Sequence, residues 1–91
     1  MKEYNVFISK RALKSLSKIP KLYRKEIAGN IDRLSNNPRP SGAKKISGRK
    51  KLFRIRVSDY RILYEIFDKE IFVVIIDVGH RKDIYSVLKK L

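Results

Sequence analysis

Cysteine is absent from this 91-residue chain, histidine occurs once, at His80, and only nine residues are acidic. The first absence excludes disulfide bonds and thiolate metal sites, and it is compatible with a reducing compartment. A single imidazole with so few carboxylates argues against a structural or catalytic zinc, so no metal and no cofactor are expected. Long apolar runs are missing as well. The longest, Ile71 to Ile76, is far short of the ~20 residues that span a bilayer. The N-terminal stretch MKEYNVFISK lacks the apolar segment of a secretory signal, so a soluble cytoplasmic protein is expected.

What the chain has in excess is positive charge: 23 Lys and Arg give a net +14 and a pI near 10.3. Hydrophobic residues still make up 43% of it, enough for a folded core, and the length fits one domain spanning residues 1–91. A chain this short buries somewhat more than ~60% of the surface its unfolded form exposes, so that core is modest. Between Asp32 and Asp59 lie nine cations (Arg33, Arg39, Lys44, Lys45, Arg49, Lys50, Lys51, Arg54, Arg56) and no acid. Such a field attracts polyanions and costs stability through self-repulsion, so an acidic partner is expected.

Residues 3–8 alternate loosely with β-branched and aromatic side chains, which predicts a first strand. Ser9 can cap a short helix over Lys10–Lys18 with Leu13 and Leu16 on its apolar face, and Ile19-Pro20 ends it. A second helix follows, carrying Tyr23, Ile27, Ile31 and Leu34 at helical spacing. Residues 35–51 are rich in Ser, Asn, Gly, Pro and Lys and predict an exposed loop. Three strands are expected next, Leu52–Val57, Tyr60–Phe67 and Ile71–Val78, joined by tight turns and therefore antiparallel. The last is apolar on both faces and should be central. Residues 82–91 are expected to form a short terminal helix. The expected fold is α+β, with helices on one face of a twisted four-stranded sheet.

In Leu52–Val57 alternation puts Phe53, Ile55 and Val57 on one face and Arg54 and Arg56 on the other. Pairing about Ser58-Asp59 would bring Arg61 to the same patch, where guanidinium forks suit a phosphodiester. In VGHRKDIY, residues 78–85, a helical turn would set Arg81 and Tyr85 on one side. Arg81 can neutralise charge on a phosphate, and Tyr85 can stack a base or carry a proton. The bland alternatives are solvated surface cations, and salt bridges from Arg61 or Arg81 to Glu65 or Asp77.

The basic helical hairpin, the segment LFRIRVSDYRILYEI with its DYRILY core, and IIDVGHRKDIY together resemble the RelE/ParE superfamily of type II toxins, most closely its RelE branch. The resemblance spans nearly the whole chain. It implies a ribosome-dependent, metal-independent endoribonuclease that cuts mRNA in the A site by attack of a 2′-hydroxyl on the adjacent phosphate. It also implies an acidic, RelB-like antitoxin as partner. The catalytic set it implies here is Arg54, Arg56, Arg61, Arg81 and Tyr85. Lys44, Lys45, Arg49, Lys50 and Lys51 are expected to contact messenger or ribosomal RNA. Some members carry lysines where this chain has Arg54 and Arg56, and an arginine, protonated to a pKa above about 12, is a poor general base. Candidates for that role are Tyr85, His80, Lys50 and Lys51. A ParE-like gyrase inhibitor that cuts nothing shares the scaffold, and a degenerate member would only bind RNA or an antitoxin.

Overall fold

The computed structural model describes residues 3–89. Its elements run β1 (Asn5–Ile8), α1 (Lys10–Ser17), α2 (Lys21–Arg33), β2 (Lys44–Lys45), β3 (Leu52–Val57), β4 (Tyr60–Phe67), β5 (Phe72–His80) and α3 (Ile84–Leu88). The strands form one mixed sheet in the order β1-β5-β4-β3-β2. The β3–β4–β5 meander is antiparallel, while β1 lies parallel to β5 with Asn5 opposite Phe72 and Ile8 opposite Ile75. The sheet therefore has five strands, one more than expected. Within the stretch predicted to be loop, Lys44 and Lys45 pair with Arg54 and Phe53. Lysines on a short edge strand discourage further strand addition.

Ser9 joins β1 to α1 at both ends of its hydroxyl. Its Oγ accepts from Ala12 N at 3.1 Å, a helix N-cap, and donates to Ile76 O at 2.8 Å. The apolar face of α1 differs from the predicted one. Leu13 is 54% exposed, whereas Ala12 is fully buried and Leu16 and Ile19 pack beside it. Positions 12, 16 and 19 form a stripe at helical spacing, and a small residue lets α1 approach β5 closely. The α2 helix buries Ile27 and Ile31, with Leu34 beyond its end, as predicted, but Tyr23 from the same stripe stays exposed and meets the Tyr60 ring.

Both long helices cover the same face of the sheet, against Ile55, Val57, Ile62, Tyr64, Ile66, Val73, Ile75 and Val78. The Tyr64 hydroxyl donates to Pro38 O at 2.7 Å, which pins the loop after α2 over this core. Burial pushes that hydroxyl's pKa up. The opposite face is open except where α3 crosses it, setting Ile84 and Val87 on Leu52 and Leu63.

One irregularity controls which way the end of β5 faces. Opposite Leu63 and Tyr64 stand Asp77 and Ile75, so Ile76 is an extra residue in a β-bulge. Ile76 packs with the α3 cluster, and Asp77 turns toward the strand edge that β1 leaves uncovered. There Asp77 Oδ1 accepts from Ser15 Oγ at 2.6 Å and from Val78 N at 2.8 Å. A carboxylate only 6% exposed is thus satisfied, and it caps the free strand edge while anchoring α1.

Candidate nucleic-acid interface

Strand alternation places Arg54 and Arg56 on the open face, away from α1 and α2. In the β3–β4 register Arg56 stands opposite Arg61, and Arg54 lies between Leu63 on β4 and Lys44 on β2. Like charges set directly across a ladder repel, so two cross-strand pairs are held together against their own field. The salt bridges considered for Arg61 and Arg81 do not form. Asp77 is engaged by Ser15 and Val78, and among the described residues the one ion pair is Arg39–Asp68 at 2.7 Å.

Two arginine side chains and the backbone of a third meet at the β3–β4 turn. Arg56 Nε donates to Ser58 O at 3.2 Å, the Arg81 backbone N–H donates to Asp59 O at 2.8 Å, and Arg61 Nη1 donates to Tyr60 O at 3.2 Å. The Nε of Arg61 is buried with no hydrogen-bond partner. Arg61 stands opposite Gly79, where a Cβ would sit 3.4 Å from Ile84 Cδ1. The missing side chain lets the first turn of α3 settle directly beside the arginines. Tyr85 follows Ile84 and is 41% exposed. Arg81 precedes the helix, in a turn closed by a bond from Asp83 N to His80 O, so helical periodicity does not relate it to Tyr85 as predicted.

The other candidates are dispersed. His80 pairs with Tyr60 in register and meets its ring edge-on at 6.0 Å, on the side of the sheet that carries α1. Lys51 Nζ lies 4.7 Å over the ring of Phe67. Phe67 is six residues along β4 from Arg61, about 20 Å at strand rise, too far for Lys51 to act on a phosphate held there. Phe67, Phe72 and Phe7 continue from Lys51 as a column of rings, 4.5 and 5.6 Å apart, so their faces are already engaged by one another. Lys50 is exposed in the bend before β3, and Lys44 and Lys45 form the outer strand. Arg49 Nη2 lies 3.5 Å from Leu88 O at the end of α3, where a cation complements the helix dipole.

Sequence reading missed the cluster at the far end of the sheet. Arg39 forks onto Asp68 at 2.7 and 3.1 Å, and Tyr4 donates to the same carboxylate at 2.8 Å. That hydrogen bond raises the Tyr4 pKa. This group fastens the loop after α2 to the β4–β5 turn and leaves the arginine face alone.

Residues 6–85 match the family described as the ParE toxin of type II toxin-antitoxin systems. The mRNA interferase toxin RelE of Escherichia coli K12 is 29% identical over 87 residues, which cover 91% of this chain and 90% of that protein. The matching chain of an archaeal RelE–RelB complex from Pyrococcus horikoshii superposes with a TM-score of 0.79 at 28% identity, over 89% of this chain and 98% of that one. The matching chain of a RelB–RelE complex from Methanococcus jannaschii gives 0.73 at 31% identity, over 88% and 95%.

Proposed function

We propose, from the premise that this chain belongs to the RelE/ParE superfamily of type II toxins and lies on its RelE branch, that it cuts messenger RNA in the ribosomal A site. The observation that carries this reading is that the Arg56 and Arg61 side chains and the Arg81 backbone meet at one turn of an open sheet face, with no ion pair to a carboxylate among the described residues. Guanidiniums so placed grip a phosphodiester and stabilise the charge that builds on it during attack. Arg54, next along β3, extends the grip toward Lys44.

The reaction is transesterification. The 2′-oxygen of one nucleotide bonds to the adjacent phosphorus, the bond from phosphorus to the 5′-oxygen breaks, and a proton passes from the former oxygen to the latter. Arg61 and Arg56 bind the phosphate, and Arg81 neutralises the developing charge. Tyr85 stacks on the reacting nucleotide and relays the proton. A neutral phenol is a weak base, so much of the acceleration comes from the ribosome holding the codon in an attack-ready geometry. His80 and Lys51 do not serve as the base, since one lies across the sheet and the other at its far end. Lys44, Lys45, Arg49, Lys50 and Lys51 contact RNA of the ribosome, which makes association strongly salt-dependent. An acidic RelB-like antitoxin neutralises the toxin in the cytoplasm, and no metal takes part.

Primer extension on a defined mRNA, with and without programmed ribosomes, tests the reading. Cleavage is expected within the A-site codon only when ribosomes are present. Arg81→Ala should lower the rate by about 10²-fold or more. Intact mRNA together with inhibited DNA supercoiling by gyrase would move the chain to the ParE side of the superfamily and overturn the proposal.

A further inference from the structure

A groove of about 670 Å³ opens on the other side of α3 from the arginine patch, between α1 and the end of β5. Volumes of roughly 300–1,000 Å³ are those of small-ligand sites, and a nucleotide fits within one. Arg11, Lys14 and Lys18 line one wall, at the three- and four-residue spacing that aligns side chains on one helix face. None of the three takes part in an ion pair among the described residues. Tyr60 and His80 also line it, their rings edge-to-face at 6.0 Å; Tyr60 meets Tyr23 as well at 5.5 Å, which leaves the His80 ring as the freer surface for a base. Two carboxylates also line the groove: Asp77, whose Oδ1 accepts from Ser15 and Val78, and exposed Asp83 at the start of α3, so the three cations of α1 outnumber the acids by one.

Unpaired cations and aromatic rings lining one nucleotide-sized space are the elements that hold single-stranded nucleic acid. The cations follow the phosphates and the rings receive a base. The groove also adjoins the arginine patch. Gly79 and Ile84 line it, Gly79 is the cross-strand neighbour of Arg61, and Arg81 directly follows His80 at the boundary. We infer that this groove binds the single-stranded RNA flanking the cleaved nucleotide, its phosphates on Arg11, Lys14 and Lys18 and one base against the His80 ring. The inference rests on the RNA-cutting reading and adds to it a second contact region on the same strand.

His80 is the sole histidine, so its imidazole protons give an isolated NMR signal from inside the groove. Untagged protein would be titrated at low salt with a trinucleotide and an octanucleotide, both 2′-O-methylated so that they lack the attacking hydroxyl. The octanucleotide is expected to shift the His80 resonance and the trinucleotide, held at the arginines, to leave it in place. Lys14→Gln with Lys18→Gln should abolish that shift. The pair should also weaken octanucleotide binding roughly tenfold and reduce the slope of log K against log salt by about 1.4, two phosphate contacts on a single strand. Trinucleotide affinity should stay within about twofold.

A His80 signal unmoved at saturating octanucleotide would overturn the inference, as would equal weakening of both oligonucleotides, which marks a diffuse field. A shift produced by an acidic peptide but not by RNA would assign the groove to a protein partner instead. Because the oligonucleotides are uncleavable, a protein that spares mRNA on ribosomes yet shows the length-dependent shift keeps the groove and loses only the cleavage reading.

Discussion

Arg61 faces Arg56 across the β3–β4 ladder, and its buried Nε has no acceptor. Arg61→Met keeps much of the stem and removes the guanidinium, so the balance of terms can be worked out. Relief of the like-charge pair returns about 0.2–1 kcal/mol. Removal of a buried unsatisfied donor returns about 1–3 kcal/mol, against the loss of the bond to Tyr60 O at about 0.5–1.5 kcal/mol. At the midpoints of these ranges the net is a stabilisation of about 1.6 kcal/mol, which raises the melting temperature of a domain this size by about 6–13 °C. Thermal unfolding followed by circular dichroism reads it directly. The gain should shrink between 50 and 500 mM salt, because the charge term is screened and the unsatisfied donor is not. Ribosome-dependent cleavage should fall by at least about 10²-fold in the same protein. A melting temperature at or below that of the parent protein in low salt would refute the claim that this arginine is held against the fold's preference.

Ser58 adopts φ 56° at the first position of a two-residue hairpin turn, where glycine is favoured. Ser58→Gly should therefore add about 0.5–1 kcal/mol, measured as a higher urea midpoint at unchanged slope. Asp77→Ala leaves Val78 N–H without its acceptor and Ser15 without its anchor, and should cost about 2–3 kcal/mol in the same experiment. Ser15→Ala should cost only about 1 kcal/mol, since Val78 keeps its partner. Burial raises the Tyr64 pKa above its unfolded value near 10, so the folded chain retains a proton that the unfolded chain releases. That contribution is complete below pH 10 and is lost above it, at up to about 1.4 kcal/mol per pH unit. Tyr64→Phe should be less stable than the parent at pH 8, and the gap should narrow as pH rises past 10.

Much of the scaffold follows from local pattern. The strands Leu52–Val57 and Tyr60–Phe67 fall at their predicted bounds, because strict alternation and a tight turn leave one way to pair them. The arginine face follows from the same alternation. What the pattern conceals is non-local. Lys44 and Lys45 are a strand only because β3 offers them an edge, and β1 runs parallel to a partner about seventy residues away. The α1 face was misassigned because its deepest residue is Ala12, whose small side chain weighs little beside Leu13. The bulge at Ile76 has the largest effect on the site. Alternation counted from Ile75 would put His80 on the open face, but the extra residue reverses the phase, so His80 stands beside Tyr60 and the groove. It adjoins Arg81 in the chain, while its ring lies against Tyr60 at the groove.

The parallel pairing of β1 with β5 also sets a time order on the living chain. β1 waits for a neighbour made about seventy residues later, and Arg81 and Tyr85 come later still. The hairpin of β3 and β4 can form while synthesis continues, but the sheet cannot close, nor the site assemble, until β5 and α3 are free to join it. A toxin built this way stays incomplete until β5 and α3 have joined the sheet, so an antitoxin has nothing to neutralise before then.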